Sequence, residues 1–248
     1  MNELVSIITP AYNVEKTISE TIDSVLNQTM KDWEMIIVDD CSTDKTVEIV
    51  QSYMRKDSRI RLIKKEENSG VAATRNVALD IAKGRYLAFL DSDDLWLPEK
   101  LDKQISYMHM KKCVLCYSAY RKFDTAGKNK DVKVPAKMKA DDVLKNTSIA
   151  CLTVIIDQDK SGKVQMPLLT HCEDNCTWYS ILERTGTEAY GMNEILALYR
   201  VGKGSLTSSK INSAKQQWRV YRDYLKFPVI KSIYYYISYA VNASKKNL

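Results

Sequence analysis

Four short apolar runs divide the first 91 residues, and a helical pattern fills every gap between them. The runs are VSIIT at 5–9, EMIIVDD at 34–40, RIRLIKK at 59–65 and RYLAFLD at 85–91. Continuous apolar runs this short suit strands buried on both faces. In the gaps, Thr17 to Gln28 carries Ile18, Ile22, Val25 and Leu26 at helical spacing. Thr43 to Arg55 carries Val47, Ile49, Val50 and Met54. Val71 to Lys83 carries Val71, Ala72, Val77, Ala78, Ile81 and Ala82, with Gly84 as a stop. This alternation predicts an α/β chain: a mainly parallel sheet, right-handed crossovers and helices on both faces.

The 248 residues allow one large domain or two modest ones, and 45% hydrophobic with 27% charged content is ordinary for a globular chain. Charge is uneven. Residues 201–248 hold nine Lys and Arg against Asp223 alone, a balance of +8, so the total of +6 leaves −2 for the first 200. A basic tail on a mildly acidic body points to an anionic surface, either membrane or nucleic acid. The opening MNELVSIITP lacks the basic and long apolar regions of a signal peptide, and no stretch reaches the roughly 18 apolar residues of a spanning helix. Six cysteines in a chain this size do not form a disulfide framework, which suggests a reducing cytosol. Cys113 and Cys116 flank a strand-like VL, and adjacent strand residues face opposite ways. They read as packing cysteines rather than a zinc knuckle.

In sheets of this class ligands sit beyond the carboxyl ends of the strands. Each run here ends in polar or turn-forming residues: PAYN, DDCSTD, EENSG and DSDD. One such loop is an ordinary solvated tip, whereas four together suggest a site on a single edge. In the last, Asp91, Asp93 and Asp94 repel one another unless a cation or donors offset the charge. Mn²⁺ or Mg²⁺ takes few protein carboxylates and completes its shell with water and substrate phosphates, so the cluster suggests a metal–diphosphate site. D-x-D alone is common by chance. Asp44 and Asp94 are also candidate helix caps, and a calcium loop is disfavoured because Leu95 and Trp96 stand where more oxygen ligands are needed.

Taken together, VSIITPAYNVEKTISETIDSVLNQT, IIVDDCSTDKT, NSGVAATRN and GRYLAFLDSDDLWLPEKL resemble the family 2 glycosyltransferases with the Rossmann-like GT-A fold, in order and spacing over about residues 4–105. The resemblance continues less densely through HCEDNCTW and LYRVGKGSLTSSK to about residue 210, and is greatest to bacterial enzymes that build surface polysaccharides such as O-antigen. It implies a nucleotide-sugar half at 1–105, an acceptor and catalytic half at 106–210, and a basic helical extension at 211–248.

It also implies roles for individual residues. Pro10, Ala11 and Tyr12 match the nucleotide-contacting turn, Glu15 an acid near the ribose, and Asp40 the uracil-binding aspartate, with Asp39 orienting the loop. Gly70 allows close approach to the base, and Arg75 meets the base or phosphate edge, in TRN where many relatives have ARN. Asp91 and Asp93 match the metal motif, with Ser92 between them on the donor and Asp94 behind. Within HCEDNCTW the acid four residues before a Trp matches the general base, which selects Asp174 over Glu173; first-turn helix charge is the plainer reading of both. His171, a lone loop histidine, is a weaker candidate for base or ligand. Arg200, Lys203 and Ser205 form a basic loop suited to closing over the diphosphate; the histidine that many relatives carry near Val201 or Gly202 is absent. The implied reaction is one inverting displacement on a UDP-sugar. The implied acceptor is a polyprenyl-diphosphate-linked saccharide at the inner face of the cytoplasmic membrane.

Residues 106–170 are the least legible, with RKFDTAGKNKDVKVP at 121–135 read as a hairpin or mobile loop. KFPVIKSIYYYISYAVNASKK at 226–246 places Val229, Ile230, Ile233, Tyr236, Ile237 and Ala240 near one side of a helix. That helix either lies on anionic lipid or packs on the body of the domain. A nucleotidyltransferase on a similar sheet is disfavoured because TPAYNVEKT lacks a glycine-rich phosphate loop. A nucleic-acid module is disfavoured because no recognition motif is present and the acidic strand ends repel phosphate.

Overall fold

The computed structural model describes residues 3–124, 126–145, 148–202 and 210–247, and their side chains except at 210–214 and 243–247. The first four predicted strands form as β1 (Val5–Ala11), β2 (Trp33–Asp39), β3 (Ile60–Lys64) and β4 (Tyr86–Phe89). Between them lie α1 (Ile18–Leu26), α2 (Thr46–Met54) and α3 (Val71–Ile81), a residue or more shorter than their periodicity at most ends. There follow β5 (Leu95–Trp96), α4 (Lys100–Lys111), β6 (Leu115–Phe123), β7 (Asn129–Val132), β8 (Lys137–Met138), α5 (Ala140–Lys145), β9 (Ile155–Asp157) and α6 (Gln158–Ser161). The chain ends with α7 (Glu173–Thr185), β10 (Ala189–Arg200), α8 (Lys210–Arg219), a π-helical turn at Val220–Tyr224 and α9 (Val229–Asn247).

One sheet runs through all of this in the order β3-β2-β1-β4-β9-β6-β10-β5, with β7 on β6 and β8 on β10. β1 to β4 are parallel, β9 lies antiparallel between β4 and β6, and β10 returns parallel to β6. The hairpin expected within 121–135 is the antiparallel β6–β7 pair. Strand residues alternate between two cores. Ile8, Ile36, Val38 and Phe89 face Ala78 and Leu79 of α3 and Trp178 of α7. Ile7, Met35 and Ile37 face Ile18, Ile22 and Val25 of α1 and Leu101 and Ile105 of α4. Burial on both sides explains why these strands read as continuous apolar runs.

Gly84 does not stop α3 by a left-handed turn. The helix ends three residues earlier, at Ile81, with Ala82 already extended. The glycine instead lies against β1: a Cβ there would meet Leu4 O and Ser6 N at 2.6 Å.

The C-terminal helices pack on the body through a satellite core of Leu144, Cys176, Val220, Tyr221, Phe227 and Tyr235. The buried face of α9 is polar and aromatic. Ser232 and Tyr235 are enclosed, Tyr235 Oη donates to Asp141 at 2.5 Å, and Asn242 donates to Lys145 O at 2.9 Å. Its apolar residues point the other way: Ile230 is 84% exposed, and Val229, Ile233, Ile237 and Val241 are exposed with it. The two readings of this helix are therefore two sides of one helix. It packs on the body and also presents an apolar stripe. No helix among the described residues is long and apolar enough to cross a membrane.

Candidate active site

The carboxyl ends of β1 to β4 open on one rim, and hydrogen bonds knit its loops together. Pro10 and Ala11, expected in the first turn, lie inside β1, paired with Val38 and Asp39 of β2. Ala11 is buried, and only Tyr12 stands out, half exposed. Proline is tolerated at position 10 because β4 pairs with β1 only as far as Ile8, leaving no ladder bond to lose. Glu15 braces the next loop: it accepts from Lys45 N–H at 3.1 Å, while its own N–H donates to Asp44. Asp44 also accepts from Thr46 N–H at the start of α2, although it stands one residue before the N-cap, which is Lys45. Asn13, not singled out by sequence, bridges the same loops by accepting from Thr43 N–H at 2.8 Å. Asn13, Cys41 and Cys172 all hold positive φ on this rim, a backbone strain that tends to gather at functional sites.

Asp40 is buried and saturated. Its carboxylate accepts from Lys65 Nζ at 2.5 Å, Ser69 N–H at 3.0 Å and Gly70 N–H at 2.9 Å. Burial alone would raise its pKa, but these donors outweigh it and hold the carboxyl below its ordinary value. Lys65 is the partner that sequence reasoning missed, at a contact 25 residues away. Asp39 accepts from Ser42 N–H, while its other oxygen is buried without a partner. Gly70 caps α3 at φ +84°, with open space where a Cβ would stand, so its dihedral angle is what requires glycine.

Arg75 corrects its expected place. It is 4% exposed, and its guanidinium is taken up inside the protein rather than offered to a base or phosphate. One nitrogen bonds Asp91 at 2.6 Å and another bonds Glu173 at 2.9 Å. Burial works against its charge, but Asp91 and Glu173 outweigh that and keep it charged. Ser92, expected on the donor, is buried too, and its carbonyl accepts from Thr17, the N-cap of α1, and from Thr21 within it at 3.0 Å each. Arg200 is likewise engaged: it donates to Asp93 O at 2.7 Å and to Glu20 at 2.6 Å. Its backbone N–H donates to Asp94 at 2.8 Å. Asp94 is thus a buried tie to β10, and it caps no helix, since α4 begins at Lys100. Lys203 and Ser205 lie outside the described residues.

Asp93 is exposed at the rim. Its carboxyl is pushed up, first by partial desolvation and then by Asp91. The protein's own donors therefore leave this pair's repulsion incompletely offset. A hard ion that takes one or two carboxylates and fills its shell with water and diphosphate oxygens fits the pair. No group of three or more His, Cys, Asp or Glu converges on a metal position among the described residues.

α7 brings the second acidic pair to the same place. Trp178 is fully buried and meets Phe89 of β4 edge to face, ring centroids 5.1 Å apart. Asp174 lies one helical turn before Trp178 and so on the same side, beside the end of β4. Its carboxyl is pushed up to about 7, first by burial and then by neighbouring Glu173, with Arg75 pulling it back. The contacts form one chain: Asp40 to Gly70 at the cap of α3, Arg75 of α3 to Asp91, and Arg75 to Glu173 beside Asp174. The rim can thus place a half-compensated carboxylate pair beside an acid able to exchange a proton near neutrality.

Comparison with known proteins adds identity to this geometry. The sequence model described as "Glycosyl transferase family 2" matches residues 6–178. TuaG of Bacillus subtilis (strain 168), named as a glycosyltransferase of teichuronic acid biosynthesis, is 47% identical over 99% of this chain and 98% of its own. WfgD of Escherichia coli, named as a UDP-Glc:alpha-D-GlcNAc-diphosphoundecaprenol beta-1,3-glucosyltransferase, is 39% identical over 98% of this chain and 95% of its own. Among solved structures, S. aureus TarS 1–349 in complex with UDP-GlcNAc superposes with a TM-score of 0.73. That likeness covers 88% of this chain and 64% of TarS 1–349 at 24% identity, and it speaks for the GT-A fold.

Proposed function

This chain belongs to glycosyl transferase family 2, and from that premise we propose that it is an inverting hexosyl- or N-acetylhexosaminyltransferase of bacterial surface-polysaccharide biosynthesis, O-antigen included. The donor is a UDP-sugar. The acceptor is a hydroxyl of a saccharide carried on polyprenyl diphosphate. The names of two relatives support the pathway and substrate classes, one naming teichuronic acid and the other UDP-Glc with a diphosphoundecaprenol-linked sugar.

The observation that carries the mechanism is the position of Asp174 in the first turn of α7, one turn before the buried Trp178 and beside the Arg75–Asp91–Glu173 network, where burial and Glu173 push its carboxyl up to about 7. A carboxylate with that pKa can take a proton from the acceptor hydroxyl near neutral pH and release it afterwards. Its oxygen accepts the proton as the hydroxyl oxygen bonds C1 of the donor, and the C1–O bond to the diphosphate breaks on the opposite side. Inversion follows from that single displacement. Glu173 raises the basicity of Asp174 by its charge, and Arg75 fixes Glu173 and Asp91 in relation to each other. Asp91 and Asp93 are the residues that would hold Mn²⁺ or Mg²⁺. Such an ion, when bound, supplies charge neutralisation for the departing diphosphate. Tyr12 and the loop ordered by Asp40 border the nucleotide, with Glu15 bracing it from behind.

In this reading residues 1–105 serve the donor and 106–210 the acceptor and catalysis, while 211–248 hold the enzyme on the inner face of the cytoplasmic membrane. The outward stripe of Ile230, Ile233 and Ile237, with Lys145 and Lys231 stationed over tyrosine and phenylalanine rings beside α9, supports that attachment. A screen of UDP-sugars for Mn²⁺-dependent transfer to a prenyl-diphosphate-linked sugar tests the proposal. Asp174→Asn is expected to lose about 10²–10⁴-fold in kcat while still binding UDP. Full activity in that variant would remove Asp174 as the base.

A further inference from the structure

The two C-terminal helices enclose a cleft that the catalytic reading does not use. Lys215, Trp218 and Arg219 of α8 and Tyr236 of α9 line an open hollow of about 470 Å³. The three α8 residues share one side of their helix by spacing. Trp218 and Tyr236 meet edge to face with centroids 5.7 Å apart, and Lys215 and Arg219 are exposed beside them. The tail from residue 201 contains one acid, Asp223, so its own segment does little to neutralise these cations.

The cleft is tied to the candidate base. Gln216 and Gln217 follow Lys215 in α8 and reach the loop before α7. Thr170 Oγ1 donates to Gln216 at 2.8 Å, and Cys172 Sγ donates to Gln217 at 3.1 Å. Cys172 immediately precedes Glu173 and Asp174. The cleft also adjoins the apolar stripe. Ile233 lies one turn before Tyr236 and Ala240 one turn after, both exposed, and both lead toward Ile230 and Ile237.

We propose that this cleft binds the diphosphate and first isoprene units of a polyprenyl-diphosphate-linked acceptor. Arg219, with its planar fork, and Lys215, as a point charge, take the diphosphate oxygens. Trp218 and Tyr236 pack against the start of the prenyl chain, which then runs along the outward stripe of α9 toward the bilayer. A lipid surface alone would account for the stripe and for cations beside aromatic rings, but not for the hydrogen bonds that tie this cleft through Gln216 and Gln217 to the loop before α7. The inference rests on the acceptor class proposed above and is independent of the donor.

Calorimetric titration of the full chain with farnesyl diphosphate tests it. UDP with Mn²⁺, inorganic pyrophosphate, farnesol and phosphatidylglycerol vesicles serve as comparators. Wild type is expected to bind farnesyl diphosphate more tightly than pyrophosphate or farnesol. The double variant Lys215→Ala/Arg219→Ala should lose at least about ten-fold in that affinity and keep UDP affinity unchanged, which also reports an intact fold. Trp218→Ala should weaken farnesyl diphosphate but not pyrophosphate, and Lys215→Arg, which keeps the charge, should retain most binding. Equal affinity of wild type and the double alanine variant, or of pyrophosphate and farnesyl diphosphate, overturns the assignment. Vesicle binding that depends on these residues without any farnesyl diphosphate binding overturns it in favour of a general lipid-surface patch. Failure of UDP to bind wild type, with farnesyl diphosphate behaving as expected, would sink the donor reading and leave the cleft standing.

Discussion

Asp40 and Asp174 stand on one rim and titrate in opposite directions. Around Asp40, three donors from Lys65, Ser69 and Gly70 saturate a buried carboxylate and lower its pKa. At Asp174, burial and the charge of Glu173 raise a carboxyl that its own chain leaves under-compensated. A saturated acid makes a rigid wall, and an under-compensated one is ready to exchange a proton. In the proposed mechanism the rim thus divides into a stiff end that borders the donor and a proton-exchanging end that faces the acceptor. Their contributions to stability also differ in sign. Asp40 stabilises the fold at and above the ordinary aspartate range, and this is lost as pH falls through its lowered pKa. The folded chain binds the proton of Asp174 more tightly than the unfolded chain does. That contribution is full in acid and is lost as pH rises from 3.8 toward about 7.

Arg75 joins the two ends, so removing it should blur the contrast most. Arg75→Met leaves Asp91 and Glu173 without their cation and is expected to destabilise by about 3–5 kcal/mol, read from urea unfolding at pH 7. The acid limb of any residual activity should move to higher pH, because Arg75 holds the Asp174 pKa down. Asp40→Asn attacks the stiff end alone. A cost of about 1–3 kcal/mol is expected, with weakened UDP affinity and an unmoved pH limb; an unchanged melting temperature would count against a structural role for this carboxylate. Glu173→Gln touches the reactive end. Loss of the like charge should lower the activity pKa by about one unit, so relative activity at pH 6 rises. The smallest effect is expected from Asp174→Asn above pH 8, where removing a charge the fold disfavours should add up to about 1 kcal/mol of stability. A lower melting temperature there would show that the carboxylate is not strained in the folded chain.

Much of the scaffold was legible in the residues. Continuous apolar runs located β1, β2 and β4, because burial on both faces selects Ile, Val and Leu at successive positions, whereas β3 is an edge strand in which Ile60 alone is fully buried. Asp91 and Asp93 could be placed at a strand end, and Asp174 one turn from Trp178, by counting along the chain. Side-chain partners were not legible in this way. Arg75 reaches Glu173 across 98 residues and is held inside the protein, while Arg200 reaches Glu20 across 180 at the half-exposed rim, so both guanidiniums are engaged by the protein's own carboxylates. β9 enters antiparallel between β4 and β6 from a stretch whose pattern said little.

Local sequence therefore specified the elements, the polar strand ends and the acids available to them, because hydrophobic periodicity and turn chemistry act over a few neighbouring residues. Tertiary packing alone decided which acids became saturated, which stayed under-compensated, and which side of α9 turned outward. Burial and long-range ion pairing set a carboxylate's proton affinity, and neither exists until distant segments meet.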